Sequence, residues 1–306
     1  MICIKNKDFK LDNKTVVTLG KFDGIHRGHR KLIDKAREIA AREGLKTAVF
    51  TFKVVEGKRF PYMENEKITT FDEREHILEA LGVDILVEFP FDEQVADMHP
   101  LDFLKDVIHA RMNAAYVVVG DDWTFGKGGR GNAGTLTATA DLLDFTPVIL
   151  EKETHDGRKI GSSWIRDEIA AGHMETVNIL LGYPYCIIGT VVHGNSIGRT
   201  IGFPTANIIP DADKILPPFG VYASKVIMED GEYYGITNIG VKPTIADDNS
   251  VNAETNIIDY EGDLYGKKIC VELIHFQRPE MKFQSVEMLK NQLSRDIEFS
   301  KTYFML

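Results

Sequence analysis

Apolar residues in the first half of the chain alternate between two spacings. Short unbroken runs, "TVVTLG" (Thr15 to Gly20), "KTAVFTF" (Lys46 to Phe52), "DILVEF" (Asp84 to Phe89), "AYVVVG" (Ala115 to Gly120) and "TPVILE" (Thr146 to Glu151), have the form of buried strands. Between them lie segments of helical period. Leu32, Ile33, Ala36, Ile39 and Ala40 share one helix face that Gly44 closes. "FDEREHILEALG" sets Asp72 and Glu75 at capping-box spacing and stops at Gly82. A helix is expected from about Pro100 to Arg111 and another around Leu136 to Leu143. Strand–helix–strand repetition predicts a parallel sheet with helices on both faces. In such sheets ligands bind beyond the carboxyl ends of the strands, where Gly20 to His29 would sit.

The spacing changes near residue 183. "GSSWIRDEIAAGHMETVNILLG" predicts two short helices ending at Gly182. After it come five strand-like runs punctuated by Gly and Pro: "CIIGTVVHG", "VYASKVIM", "EYYGITNIG", "ETNIIDY" and "KICVELIHF". They predict an antiparallel sheet or closed barrel. From Ser285 to Phe304 the period is helical again, with Val286, Leu289, Leu293, Ile297 and Phe304 apolar. The expectation is an α/β chain of two domains, residues 1–182 and 183–306. The first is a Rossmann-like parallel-sheet domain and the second an antiparallel β-barrel with a terminal helix. A length of 306 residues suits two domains of ordinary size.

Charge narrows the class of partner. A formal net charge of −10 argues against nonspecific binding to nucleic acid or membranes, which needs basic patches. The three cysteines, Cys3, Cys186 and Cys270, are far apart and fit a reducing compartment. "MICIKNKDFK" lacks the apolar segment of a signal peptide, and no apolar run approaches a membrane span. A cytoplasmic location is expected.

One stretch departs from the acidic background. "TLGKFDGIHRGHRKL" sets Lys21, Arg27, Arg30 and Lys31 against Asp23 alone, with His26 and His29 three residues apart at a helix start. Free N–H groups and the positive dipole end favour an anion there. Imidazoles donate to phosphate oxygens, and Gly24 and Gly28 let the backbone come close. Together these make a pocket for a triphosphate, in which fixed donors stabilise charge growing on phosphorus. Two other readings compete. Asp23, His26 and His29 have the form of an Asp-x-x-His-x-x-His metal set, which the surrounding cations disfavour. A solvated helix start with two surface histidines is the bland alternative.

The same stretch carries a family resemblance. "GKFDGIHRGH" resembles the G-x-F-D-G-x-H-x-G-H signature of the bacterial bifunctional riboflavin kinase/FAD synthetases. "VVVGDDWTFGKGGRGN" is similar to the family's V-G-x-D-F-x-F-G segment, and "GSSWIR" stands where the family has S-S-T-x-I-R. "GRTIGFPTAN", "GVYA", "TNIGVKPT" and "ETNIIDYEGDLYG" match its kinase half. The matches run in order from about residue 16 to residue 296.

The resemblance implies that the first domain joins FMN and ATP into FAD and pyrophosphate. His26 and His29 would bind phosphates together with Gly20, Phe22 and Gly28, while Asp23 and Gly24 shape the turn. Ser162, Ser163 and Arg166 would close over the β- and γ-phosphates, a suitable donor set at a helix start. An ordinary N-cap and a surface arginine are the alternative there. Asp122, Trp123 and Phe125 would contact the flavin. Three departures stand out: Gly161 and Ser163 replace a serine and a threonine, Trp123 replaces a phenylalanine, and no histidine follows "TF" at residues 51–52, where the family has T-F-x-P-H-P. The last keeps two alternatives open, a riboflavin kinase with weak or absent adenylyltransferase activity and a flavin-binding regulator. "GKGGRG" formally matches a dinucleotide fingerprint but begins several residues after its strand, so it is discounted.

The second domain would phosphorylate riboflavin to FMN with ATP and Mg²⁺. It has no G-x-x-x-x-G-K-[ST] loop; "GNSIGRT" has the wrong spacing and an arginine for the lysine. Arg199 and the backbone of Gly198 and Gly202 can approach phosphates instead. Thr205 and Asn207 lie two apart, on one side of an extended segment, and their oxygens suit Mg²⁺. A Pro-initiated turn with local hydrogen bonds is the alternative. Glu254 matches the family's base for the ribityl 5′-hydroxyl, against an exposed strand glutamate. Arg278 matches an arginine near the flavin end, and Asn238 and Lys242 would line the pocket.

Overall fold

A computed structural model describes residues 1–55, 57–58, 60, 66–194, 197–241 and 251–306. The chain forms two compact units, Met1–Gly161 and Ser162–Leu306. In the first, the strands are β1 (Ile2–Ile4), β2 (Thr15–Leu19), β3 (Lys46–Val54), β4 (Ile85–Phe91), β5 (Ala114–Gly120) and β8 (Thr146–Leu150), with the hairpins β6 (Thr124–Phe125)–β7 (Gly131–Asn132) and β9 (Thr154–His155)–β10 (Arg158–Lys159). The helices are α1 (Arg27–Glu43), α2 (Phe71–Ala80), α3 (Glu93–Ala96), α4 (Pro100–Asp102) and α5 (Ala133–Thr139). The main sheet has the order β1-β4-β3-β2-β5-β8 and every pair is parallel. Strand order reverses between β2 and β5, which opens a crevice at their carboxyl ends.

Both faces of this sheet are apolar because both are covered. Val17, Phe50, Val87 and Val117 face one layer with Phe103 and Leu136, and Val49 and Leu86 face α1 and α2 with Ile33 and Leu78. α1 buries Ile33, Ala36, Ile39 and Ala40 and ends at Gly44 in the left-handed region, φ 67°. Two expected details differ. The capping box of α2 is Thr70 with Glu73, not Asp72 with Glu75: the Thr70 hydroxyl accepts from Glu73 N at 3.2 Å and the Glu73 carboxylate accepts from Thr70 N at 2.8 Å. The helix expected from Pro100 to Arg111 is α4 followed by a π-helical run, Phe103–His109.

The second unit begins with α6 (Ser162–Ala171) and α7 (Met174–Leu181). They belong here because α7 lies on the second sheet. Asn178 fixes it, its Nδ2 donating to Leu273 O at 3.1 Å and its Oδ1 accepting from Tyr185 N at 2.7 Å. There follow β11 (Tyr185–Thr190), α8 (Ile197–Ile201), β12 (Ala206–Ile208), β13 (Gly220–Met228), β14 (Gly231–Val241), β15 (Val251–Ile257), β16 (Lys268–Pro279) and α9 (Val286–Phe304). The sheet order is β11-β16-β13-β14-β15-β12, all antiparallel. It curls into a partly closed barrel, bridged from Val192 to Asn207. Gly189 leaves the space that Ile208 fills.

α9 docks through the face that its apolar spacing marks, but the most deeply buried positions on it are polar. Its buried residues are Asp296 and Ser300, while Val286 is 59% exposed. Arg278 grips Asp296 with Nε at 3.0 Å and Nη2 at 2.6 Å, and Ser300 Oγ donates to Gly235 O at 3.1 Å.

Candidate functional site

In the first unit the loop after β2 carries unusual backbone. Phe22 (φ 46°), Gly24 (φ 83°) and Ile25 (φ 34°) are left-handed. For two large residues this costs about 1–3 kcal/mol each and persists only when packing over-determines it. Phe22 and Ile25 are wholly buried beneath α1 and α2, which supplies that packing. Asp23 turns inward, its Oδ1 accepting from Ile68 N at 2.8 Å and Thr69 N at 3.3 Å, and Gly24 N donates to Thr69 Oγ1. Asp23 and Gly24 therefore shape the turn. Among the described residues no group of three His, Cys, Asp or Glu side chains is arranged to hold a metal ion.

That turn delivers His26 to the N-cap of α1, where its Nδ1 accepts from His29 N at 3.4 Å. The acceptor role leaves the proton on Nε2. The His26 and His29 rings stack, centroids 3.8 Å apart and planes 20° apart. Gly28 makes room, since a Cβ there would lie 3.1 Å from the His26 ring. Phe22 does not line the cavity; its ring backs His29 at 5.0 Å. Burial, then nearby Lys152, pushes the His26 pKa down to about 4. Burial, then His26 and Arg74, holds His29 well below its ordinary value. Both rings are neutral at pH 7 and can offer hydrogen bonds rather than positive charge.

The two histidines line a cavity of about 660 Å³, a size suited to a small-molecule ligand. Gly20, Lys21, Gly28, Asp122 and Lys152 are also in its lining. Lys152 Nζ pairs with Asp122 Oδ2 at 2.6 Å. The other three counted cations point elsewhere: Arg27, Arg30 and Lys31 border a shallow depression beside α1, with Arg27 and Lys31 drawn to Glu153 at 2.9 and 3.7 Å. Much of the remaining lining is aromatic. Trp123 and Phe125 stack at 4.4 Å, and Phe50, Phe52, Phe91 and Phe103 complete the wall. The latter four and Lys152 were missed from sequence. A signal existed, because the pleat puts Phe50 and Phe52 of β3, and Phe89 and Phe91 of β4, on one face. "GKGGRG" is the turn of the β6–β7 hairpin, and Gly131 is required where a Cβ would lie 2.7 Å from the Phe125 ring.

In the second unit the register gathers the expected kinase residues. Asn207 of β12 stands opposite Glu254 of β15, which stands opposite Asn238 of β14. Asn238 faces Val221 of β13, and Val221 faces Arg278 of β16. Directly paired residues project to the same face, so Asn207, Glu254 and Asn238 share one side of the sheet. The guanidinium of Arg278 is engaged by Asp296 and by Pro279 O. Asn207 Nδ2 lies 3.4 Å from Thr205 Oγ1. The backbone at Gly194 rests on the Asn207 amide, 2.7–2.9 Å from where a Cβ would be. Gly198 lies against Phe203 O and near Thr205, and Gly202 takes φ 90°. Ser162, Ser163 and Arg166 occupy the first turns of α6. Arg199 is in α8, but its side chain lies outside the described residues, as does Lys242.

Comparison with known proteins agrees with both units. The FAD synthetase family model matches residues 8–164 and the riboflavin kinase model residues 181–304. The bifunctional riboflavin kinase/FMN adenylyltransferase of Listeria monocytogenes is 37% identical over 96% of this chain and 93% of its own. The Escherichia coli K12 protein of that name is 33% identical over 95% and 93%. A solved Streptococcus pneumoniae structure named macrolide-efflux protein superposes with a TM-score of 0.85 at 33% identity, covering 98% and 99% of the two chains. Among the described residues no helix is long and apolar enough to cross a membrane. With both halves matched in order and the identity sustained from end to end, this chain belongs to the bifunctional riboflavin kinase/FMN adenylyltransferase family.

Proposed function

We propose that the chain phosphorylates riboflavin to FMN and adenylylates FMN to FAD, using ATP for both and releasing pyrophosphate in the second reaction. Residues 1–182, the first compact unit with the sequence of α6 and α7, are assigned the adenylylation, and residues 183–306 the phosphorylation. The observation that carries the reading is the 660 Å³ cavity lined both by the two neutral histidines and by stacked aromatics. ATP phosphates suit the histidines and an isoalloxazine ring the aromatics. The attacking phosphate oxygen of FMN is already ionised at pH 7, so no general base is needed. His26 and His29 donate to oxygens that gain charge as the α-phosphorus–oxygen bond to pyrophosphate breaks. Asp122, Trp123 and Phe125 contact the flavin. Ser162, Ser163 and Arg166 are proposed as donors to the β- and γ-phosphates, supported by their motif.

For the kinase reaction Glu254 accepts the proton of the ribityl 5′-hydroxyl as that oxygen attacks the γ-phosphate. Arg199 and the backbone of Gly198 and Gly202 border the phosphates, and the flavin lies toward Asn238, Lys242 and Arg278. The hydroxyl of Thr205 and the amide of Asn207 are close together, the amide backed by glycine, and their two oxygens are hard donors of the kind Mg²⁺ takes once the amide presents its oxygen to Thr205. When bound, Mg²⁺ would neutralise charge on the phosphates. ATP as co-substrate fits a cytoplasmic location. Incubation with riboflavin, MgATP and chromatographic separation tests the whole proposal: FAD supports it, FMN alone restricts the chain to the kinase, and neither product overturns it.

A further inference from the structure

One side chain outside the expected site touches two of its residues. Asn252, on β15 two positions before Glu254, is 5% exposed. Its Nδ2 donates to Asn207 Oδ1 at 2.8 Å and to Glu254 Oε1 at 3.1 Å. Its own Oδ1 is buried with no hydrogen-bond partner among the described residues. A buried amide oxygen left unmatched is costly, so this atom requires an explanation.

The orientation of Asn207 supplies one. Asn207 is itself 4% exposed, and its nitrogen faces Thr205, with Nδ2 at 3.3 Å from Thr205 O and 3.4 Å from Oγ1. Its oxygen is turned toward Asn252. The Thr205 hydroxyl and the Asn207 oxygen thus point apart, and a shared cation needs them together. Turning the Asn207 amide over corrects this with no change of shape. Its nitrogen then meets Asn252, where a second amide turn presents the unmatched Oδ1 as acceptor.

We propose that Asn252 is a positioning residue that holds Asn207 with its oxygen away from Thr205, receives the Asn207 nitrogen when the amide turns to offer oxygen to Mg²⁺, and in the same movement withdraws its donor from Glu254. Cation loading and release of the base are thereby one event. A carboxylate facing an amide oxygen is repelled, so Glu254 leaves the sheet and moves toward its substrate. The inference rests on the roles proposed above for Thr205, Asn207 and Glu254.

Calorimetry of ADP binding to the full-length chain, with and without Mg²⁺, tests it on wild type, Asn252→Leu and Asn252→Asp. Leucine matches the shape but neither donates nor accepts; aspartate accepts at both positions. Asn252→Leu is expected to lose at least fivefold of the Mg²⁺-dependent gain in ADP affinity, with binding of ADP alone and the riboflavin KM unchanged. Asn252→Asp is expected to keep the gain, because its carboxylate accepts from the turned Asn207 nitrogen, and to form FMN within threefold of the wild-type rate, because Glu254 is already released. A wild-type gain in Asn252→Leu, or equal loss in both variants with and without Mg²⁺, overturns the role of Asn252 alone. Absence of FMN formation by the wild type overturns the parent assignment with it.

Discussion

His26 and His29 stack face to face at 3.8 Å, and the backbone N–H of one is capped by the ring of the other. The helix start therefore fixes the tautomer of His26, while burial keeps both rings neutral. Removing one ring should remove a phosphate donor without disturbing the second unit. His29→Ala is expected to lower FAD formation by about 10²–10³-fold, the usual scale for one transition-state donor, with FMN formation unchanged. The two products are read from one chromatogram; equal loss of both would contradict separate sites.

The depressed His26 pKa has a stability consequence. Above pH 6.5 both the folded and unfolded chains hold this ring neutral. As pH falls from 6.5 toward 4, only the unfolded chain takes up the proton, so stability present at neutral pH is lost across that window. His26 alone accounts for about 3 kcal/mol. In a Trp164→Phe background, Trp123 reports on the first unit. The difference in urea midpoint between wild type and His26→Gln should shift as pH falls through the window; a constant difference would show that the ring charges freely in the folded state.

Gly131 carries no chemistry but sets the aromatic wall. A Cβ there meets the Phe125 ring at 2.7 Å and must displace it from the Trp123 stack. Gly131→Ala should raise the KM for FMN about tenfold in FAD formation, with little effect on the KM for ATP. An unchanged KM would place the flavin elsewhere.

Glu254→Gln keeps the shape and the acceptor that Asn252 Nδ2 uses, and removes only the base. FMN formation should slow by about 10²–10³-fold with the riboflavin KM nearly unchanged. A rate within threefold of wild type would exclude Glu254 as the proton acceptor.

The Arg278–Asp296 pair is two-pronged, with the Asp296 side chain 2% and the Arg278 side chain 15% exposed. Asp296→Ala leaves a largely covered guanidinium without its counter-ion and should destabilise the second unit by about 3 kcal/mol, read from the denaturation midpoint followed by Trp164. A loss below 1 kcal/mol would mean that α9 is held by other contacts.

Much of this architecture was legible along the chain because backbone periodicity is local. Runs such as "AVFTF" and "YVVVG" already specify covered strands, and the glycines and histidines of "GKFDGIHRGH" mark the turn into a helix. Tertiary partners were not legible. Nothing near Arg278 announces Asp296, and only folding shows that Arg27 and Lys31 turn to Glu153 while Lys152 reaches the cavity. Asn252 escaped notice because one asparagine in a strand carries no pattern; the pleat and the register of β12 against β15 give it meaning. The apolar spacing of α9 marked its docking face, but the positions most deeply buried on that face, Asp296 and Ser300, are polar and carried no such signal.

That last difference bears on how α9 finds its place. A helix seated by an apolar stripe can slide by a turn and still bury similar area, because leucines one turn apart are interchangeable. A guanidinium fork accepts one carboxylate in one pose. Sliding α9 by a turn would present Gln292 or Ser300 to Arg278 and leave its charge unanswered. α9 is therefore keyed to the sheet, with a single register along it.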